Sequence, residues 1–77
     1  MNRAFGVQVT MPGEDGQTYP LVVVATGERD AELVAARAAG GEASAATLRE
    51  LDAEEARQYG LDLTRHGDAK ALPALNL

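Results

Sequence analysis

The sequence predicts an α+β fold in the order β-β-α-β-α, with a three-stranded sheet, one long helix packed on one face and a short second helix. Three observations carry that expectation: an alternating apolar pattern at the start, an apolar run beyond a Pro/Gly turn, and a helical spacing of apolar residues from Ala31.

Phe5, Val7, Val9 and Met11 alternate with Gly6, Gln8 and Thr10. A period of two is the mark of a strand with one dry face and one wet one. Pro12 to Gln17 then gathers Pro, Gly, Glu and Asp between two apolar runs, which predicts a turn. The second strand runs from about Thr18 to Thr26, and Pro20, having no amide hydrogen, belongs near its start or on an unpaired edge. Together these segments make the N-terminal hairpin.

A helix is expected to begin at Thr26 or Asp30 and to reach about Ala39, where Gly40-Gly41 offers a left-handed stop. Ala31, Val34, Ala35 and Ala38 fall on one face at i, i+3, i+4 and i+7. A face of small residues lets the helix sit close to a sheet. Leu33 falls on the opposite side, near Arg29, Asp30 and Arg37.

Glu42 to Leu51 pulls two ways. Its alanines, Leu48, Arg49 and Glu50 favour a helix by propensity. A lone hairpin under one helix is marginal, however, and a third strand over about 45–50 completes the layer. Asp52 then reads as an N-cap with Glu55 closing a capping box, Leu51 and Ala56 forming the staple. The short helix spans 53–59 and stops at Gly60. Beyond Leu61 the period is broken by Asp62, Gly67, Asp68 and Pro73, leaving Leu61, Leu63, Leu72 and Leu75 as occasional anchors. Residues 1–66 are therefore expected to form a single small α+β domain and 67–77 a C-terminal tail, with partial packing of the tail left open.

The totals bound the function. Seventy-seven residues suffice for one modest core, and fifteen alanines against Phe5, Tyr19 and Tyr59 bury little area per position. The net charge of −5 disfavours a nucleic-acid regulator, since such binding rests on neutralising phosphates. No membrane partner is expected, because the longest apolar run, Leu21 to Ala25, is too short to cross a bilayer. No leader pattern precedes the first strand, so a cytoplasmic location is expected. Six arginines against one lysine, with the many alanines, suit a GC-rich bacterial genome.

One motif invites chemistry. Leu63-Thr64-Arg65-His66-Gly67-Asp68 resembles the Arg-His-Gly signature of the histidine phosphatase and phosphoglycerate mutase superfamily. That resemblance implies phosphorylation of His66 and a phosphate held by Arg65. It covers about six residues, and the superfamily needs a second histidine, a further arginine and a large α/β domain following the motif. His66 is the only histidine and lies near the C-terminus, so a solvated loop is the preferred account. Asp62, His66 and Asp68 make a poor zinc set for the same reason. Asp52, Glu54 and Glu55 are explained by capping and the helix dipole. Gly13 to Gly16 lacks the lysine and following helix of a nucleotide cradle. No catalytic residue, metal or cofactor is therefore expected.

What remains is binding. The second strand is apolar on both faces, so Val22 and Val24 need a cover: either the second helix with Leu61, Leu63 and Leu72, or another chain. Val22, Val24 and Leu33 are the candidate interface of a small non-enzymatic protein that acts as a homodimer or accessory subunit. The alternative is an enzyme, or a protein that binds a phosphate or other small ligand, using the loop from Asp62 to Asp68.

Overall fold

The computed structural model describes residues 1–13 and 16–72. Its elements are β1 (Arg3–Thr10), β2 (Thr18–Ala25), α1 (Glu28–Ala38), β3 (Ser44–Leu51), α2 (Ala53–Gln58) and β4 (Ala69–Ala71). The expected three-stranded sheet is corrected to four strands in the order β3-β1-β2-β4, every neighbouring pair antiparallel. The β1–β2 hairpin is the centre of the sheet. Since β2 and β3 both run antiparallel to β1, they run parallel to each other with β1 between them, and α1 links them. Two turn residues, Glu14 and Asp15, lie outside the described residues, as does the anchor expected at Leu75.

The fourth strand sits inside the segment expected to be a tail. Gly67 N–H donates to the Val24 carbonyl (2.9 Å), Val24 N–H to Asp68 (2.8 Å) and Leu72 N–H to Pro20 (3.0 Å). Part of that segment, from Gly67 to Leu72, is thus bonded to β2. Pro20 also limits this pairing. Its carbonyl accepts from Leu72, so its hydrogen-free nitrogen faces β4 just beyond the last paired residue, Leu21.

The hairpin strands β1 and β2 carry a packed apolar layer on each face. One layer joins Phe5, Val7, Val9, Leu21, Val23 and Ala25 to Ala31, Val34 and Ala35 of α1. The other joins Ala4, Val22 and Val24 to Leu51, Ala56 and Leu61, with Tyr59, Leu63 and Leu72 packed at its margin. The run of apolar residues in β2 thus has a cause: both of its faces are dry. Among the described residues no polar or charged side chain is fully buried.

Local chemistry fixes the helix ends. Neither Thr26 nor Asp30 caps α1. Gly27 holds the N-cap position with extended backbone, while Asp30 turns back to accept from Thr26 N–H at 3.0 Å and its hydroxyl at 3.1 Å. At the other end Gly40, with φ +112, donates to Arg37, and Gly41 to Ala36. This paired closure satisfies carbonyls that the helix itself leaves open. Helix α2 closes in the same way through Gly60 and Leu61, and begins with the expected capping box of Asp52 and Glu55. Leu51 and Ala56 share the second layer, where a staple would put them. Ala38, expected on the packed face of α1, is exposed at an open groove, while Ala39 packs against the first layer instead.

Both edges of the sheet are blunted. In β3 the register shifts between Gly6 and Val7, which pair with Arg49 and Thr47 and leave Leu48 as a bulge. Thr47 N–H donates to the Glu32 carboxylate (3.0 Å) and its hydroxyl to the Glu28 carbonyl (3.1 Å), so α1 occupies part of this edge. Arg49 reaches Glu55 through two bonds, one of them 3.0 Å, and Arg3 pairs with Glu50 at 3.1 Å. The opposite edge, β4, is three residues long and carries Lys70. Bulges, charges and short edge strands are the usual devices against edge-to-edge pairing.

Candidate functional site

The loop between α2 and β4 brings the singled-out motif back to α1. Its shape is set by two carboxylates. Asp62 accepts from Thr64 N–H (2.9 Å) and from the Thr64 hydroxyl (2.6 Å), and Asp68 accepts from Asp62 N–H at 2.9 Å. The Thr64 bonds hold the Asp62 carboxyl below its ordinary pKa. Gly67 sits at φ +89, a conformation open to glycine and strained for other residues. These bonds aim His66 at α1, where its Nε2–H donates to the Asp30 carboxylate at 2.6 Å. Asp30 is lowered to about 2, first by the Thr26 backbone amide and then by His66. It stays ionised as an acceptor across the ordinary pH range.

Thr26, Asp30 and His66 include the residue types of a hydrolytic triad in an order that cannot do its chemistry. The carboxylate stands in the middle, so the Thr26 hydroxyl donates to Asp30 and not to an imidazole that could take its proton. The cluster braces α1 against the loop. The Asp62 and Asp68 carboxylates are likewise committed to backbone amides, and among the described residues no three His, Asp or Glu side chains converge on a point that could hold a metal ion. Among those residues no helix is long and apolar enough to cross a membrane.

The brace borders an open groove of about 420 Å³ between α1 and the loop. Val34 and Ala38 give it an apolar side, while Arg37, His66 and Gly67 complete the lining. Next to it stands the outward ridge of α1. Leu33 is 54% exposed there, with Arg29 one turn before it and Arg37 one turn after. Both arginines are exposed, and among the described residues neither forms an ion pair. A second depression, of about 210 Å³, lies among Gln8, Thr10, Ser44, Ala45 and Ala46 and is lined by no charged side chain.

The three residues expected at an interface thus part company. Val22 and Val24 are 0% exposed, under Leu51, Ala56 and Leu61, so the folded chain presents neither to a partner. The alternative of coverage by the chain itself is what the fold adopts. Leu33 alone remains at the surface. The pairing of His66 with Asp30 spans 36 positions and has no local sequence signal. The flanking of Leu33 by Arg29 and Arg37 is different, because i±4 spacing on a helix was there to be read. No family model matches the sequence, and no curated protein or solved structure matches the chain.

Proposed function

We propose that this chain is a small non-enzymatic protein that binds another protein through the outer face of α1, as an accessory subunit. The observation that carries the reading is Leu33, a large apolar side chain 54% exposed on a helix whose inner face is satisfied. A single exposed leucine is common enough to need support. That support comes from the rest of the surface: both sheet edges are blunted, the apolar residues of β1 and β2 are packed on both faces, Leu33 is more exposed than Leu48 on β3 (54% against 39%), and Arg37, one turn from Leu33, also lines the groove with Val34 and Ala38.

Self-association through this ridge is the weaker option. A two-fold axis at Leu33, with the helices antiparallel, sets Arg29 of each copy against Arg37 of the other. Like charges in such a contact oppose it. A small ligand on the loop from Asp62 to Asp68 is also weaker, because both carboxylates and the His66 Nε2 are already bonded within the chain.

A photo-crosslinking side chain placed at Leu33 tests the reading in cells, with Gln58 on α2 as the control position. The expected result is a discrete heterologous adduct from position 33 and none from position 58. Adducts of equal yield from both positions, or adducts only between copies of this chain, contradict it.

A further inference from the structure

Resting on that reading, we infer that the partner of α1 is an acidic segment with an apolar residue set between two carboxylates. The geometry of the ridge defines the spacing. Arg29 and Arg37 are eight residues apart, about 12 Å along the helix axis at ~1.5 Å per residue, with Leu33 midway. A helical partner meets this with carboxylates at i and i+8 and an apolar side chain at i+4. Its apolar residue lies on Leu33 and against Val34 and Ala38 at the mouth of the groove, where Arg37 is shared between ridge and groove.

The charges around the ridge support this choice. Asp30, which helical spacing puts on the Arg37 side of the ridge, accepts from His66 and Thr26. Glu32 is turned to the other flank, where it accepts from Thr47 N–H. Arg29 and Arg37 are thus left facing outward in a chain whose net charge is −5. Arginine beside a carboxylate forms the paired, directional contacts that fix register in protein interfaces. The chain's overall negative charge repels an acidic partner at long range, so selectivity has to come from contact at the two arginines. Salt dependence therefore mixes opposing effects, and charge reversal is the cleaner probe.

The experiment uses two fluorescein-labelled synthetic helical peptides, one patterned Glu-x-x-x-Leu-x-x-x-Glu and one with lysine in place of both glutamates. Their binding to the full chain is read by fluorescence anisotropy. The unmodified protein is expected to bind the glutamate peptide at least tenfold more tightly than the lysine peptide. The doubly reversed variant R29E/R37E is expected to invert that preference. The neutral variant R29Q/R37Q, which spares the helix a new C-terminal acid, is expected to lose the preference without inverting it. Circular dichroism establishes that both variants are folded. Equal binding of the two peptides by the unmodified protein, or a preference that survives R29Q/R37Q, overturns the inference. Should position 33 crosslink a partner while the peptides show no charge preference, the acidic chemistry falls and the binding face stands. Should position 33 yield no adduct, the binding face itself falls.

Discussion

Replacing Leu61 with alanine tests the coverage of the sheet's second face most sharply. Leu61 is 5% exposed and packs with Ala4, Val22, Val24, Leu51 and Ala56. Truncation removes three buried carbons, worth about 2.4 kcal/mol at roughly 0.8 kcal/mol each. A partly unfilled cavity raises the expected loss to about 3 kcal/mol, within the roughly 2–5 kcal/mol range of core leucine truncations. The bond from Leu61 N–H to the Ala56 carbonyl survives, so the loss isolates packing from helix closure. A core of this size supplies only about 3–5 kcal/mol, which leaves the variant near its unfolding threshold. In urea, followed by circular dichroism, a slope near about 1 kcal/mol/M places the midpoint roughly 3 M lower. Leu33→Ala, on the exposed ridge, is expected to stay within about 0.5 kcal/mol of the parent. A loss below about 1 kcal/mol for Leu61→Ala would refute the claim that the chain's own second half seals Val22 and Val24.

Three further outcomes follow from local features. Asp52→Ala removes the N-cap of α2 and should cost about 1 kcal/mol in the same urea titration. Gly60→Ala places a Cβ at φ +78 and against the Lys70 ammonium end. Since Lys70 can swing away, backbone strain of about 1–2 kcal/mol should dominate, and adding Lys70→Ala should rescue little of the lost thermal stability. Asp30 is lowered from 3.8 to about 2 in the folded chain, so its contribution to stability is present above pH 3.8 and fades as pH falls towards 2. Asp30→Asn should flatten that part of a stability-versus-pH curve while leaving neighbouring acids to titrate, and an unchanged slope would count against the brace.

The strands and helices that obey a simple period were legible in the sequence. Phe5 to Met11 and Leu21 to Ala25 show the hairpin, and Asp52 with Glu55 shows the start of α2, because each signal is local. Strand β3 illustrates the conflict between levels. Its alanines and Leu48 favour a helix, yet pairing with β1 and the Thr47 bonds to α1 make it a strand. β4 was not legible, since the three residues Ala69–Ala71 carry no period and pairing with β2 alone defines them. Leu33 could be picked out from its place off the apolar stripe. The groove could not, because it exists only once the loop around His66 returns to α1.

Binding at the outer face of α1 is the central claim, and amide chemical-shift mapping on the isotopically labelled protein reads it residue by residue. Titration with the glutamate-patterned peptide should move the amides of Arg29, Leu33, Val34, Arg37, Ala38, His66 and Gly67 together, leaving Ser44 to Leu51 in place. Shifts concentrated along Ser44 to Leu51, with the α1 ridge unmoved, would contradict it.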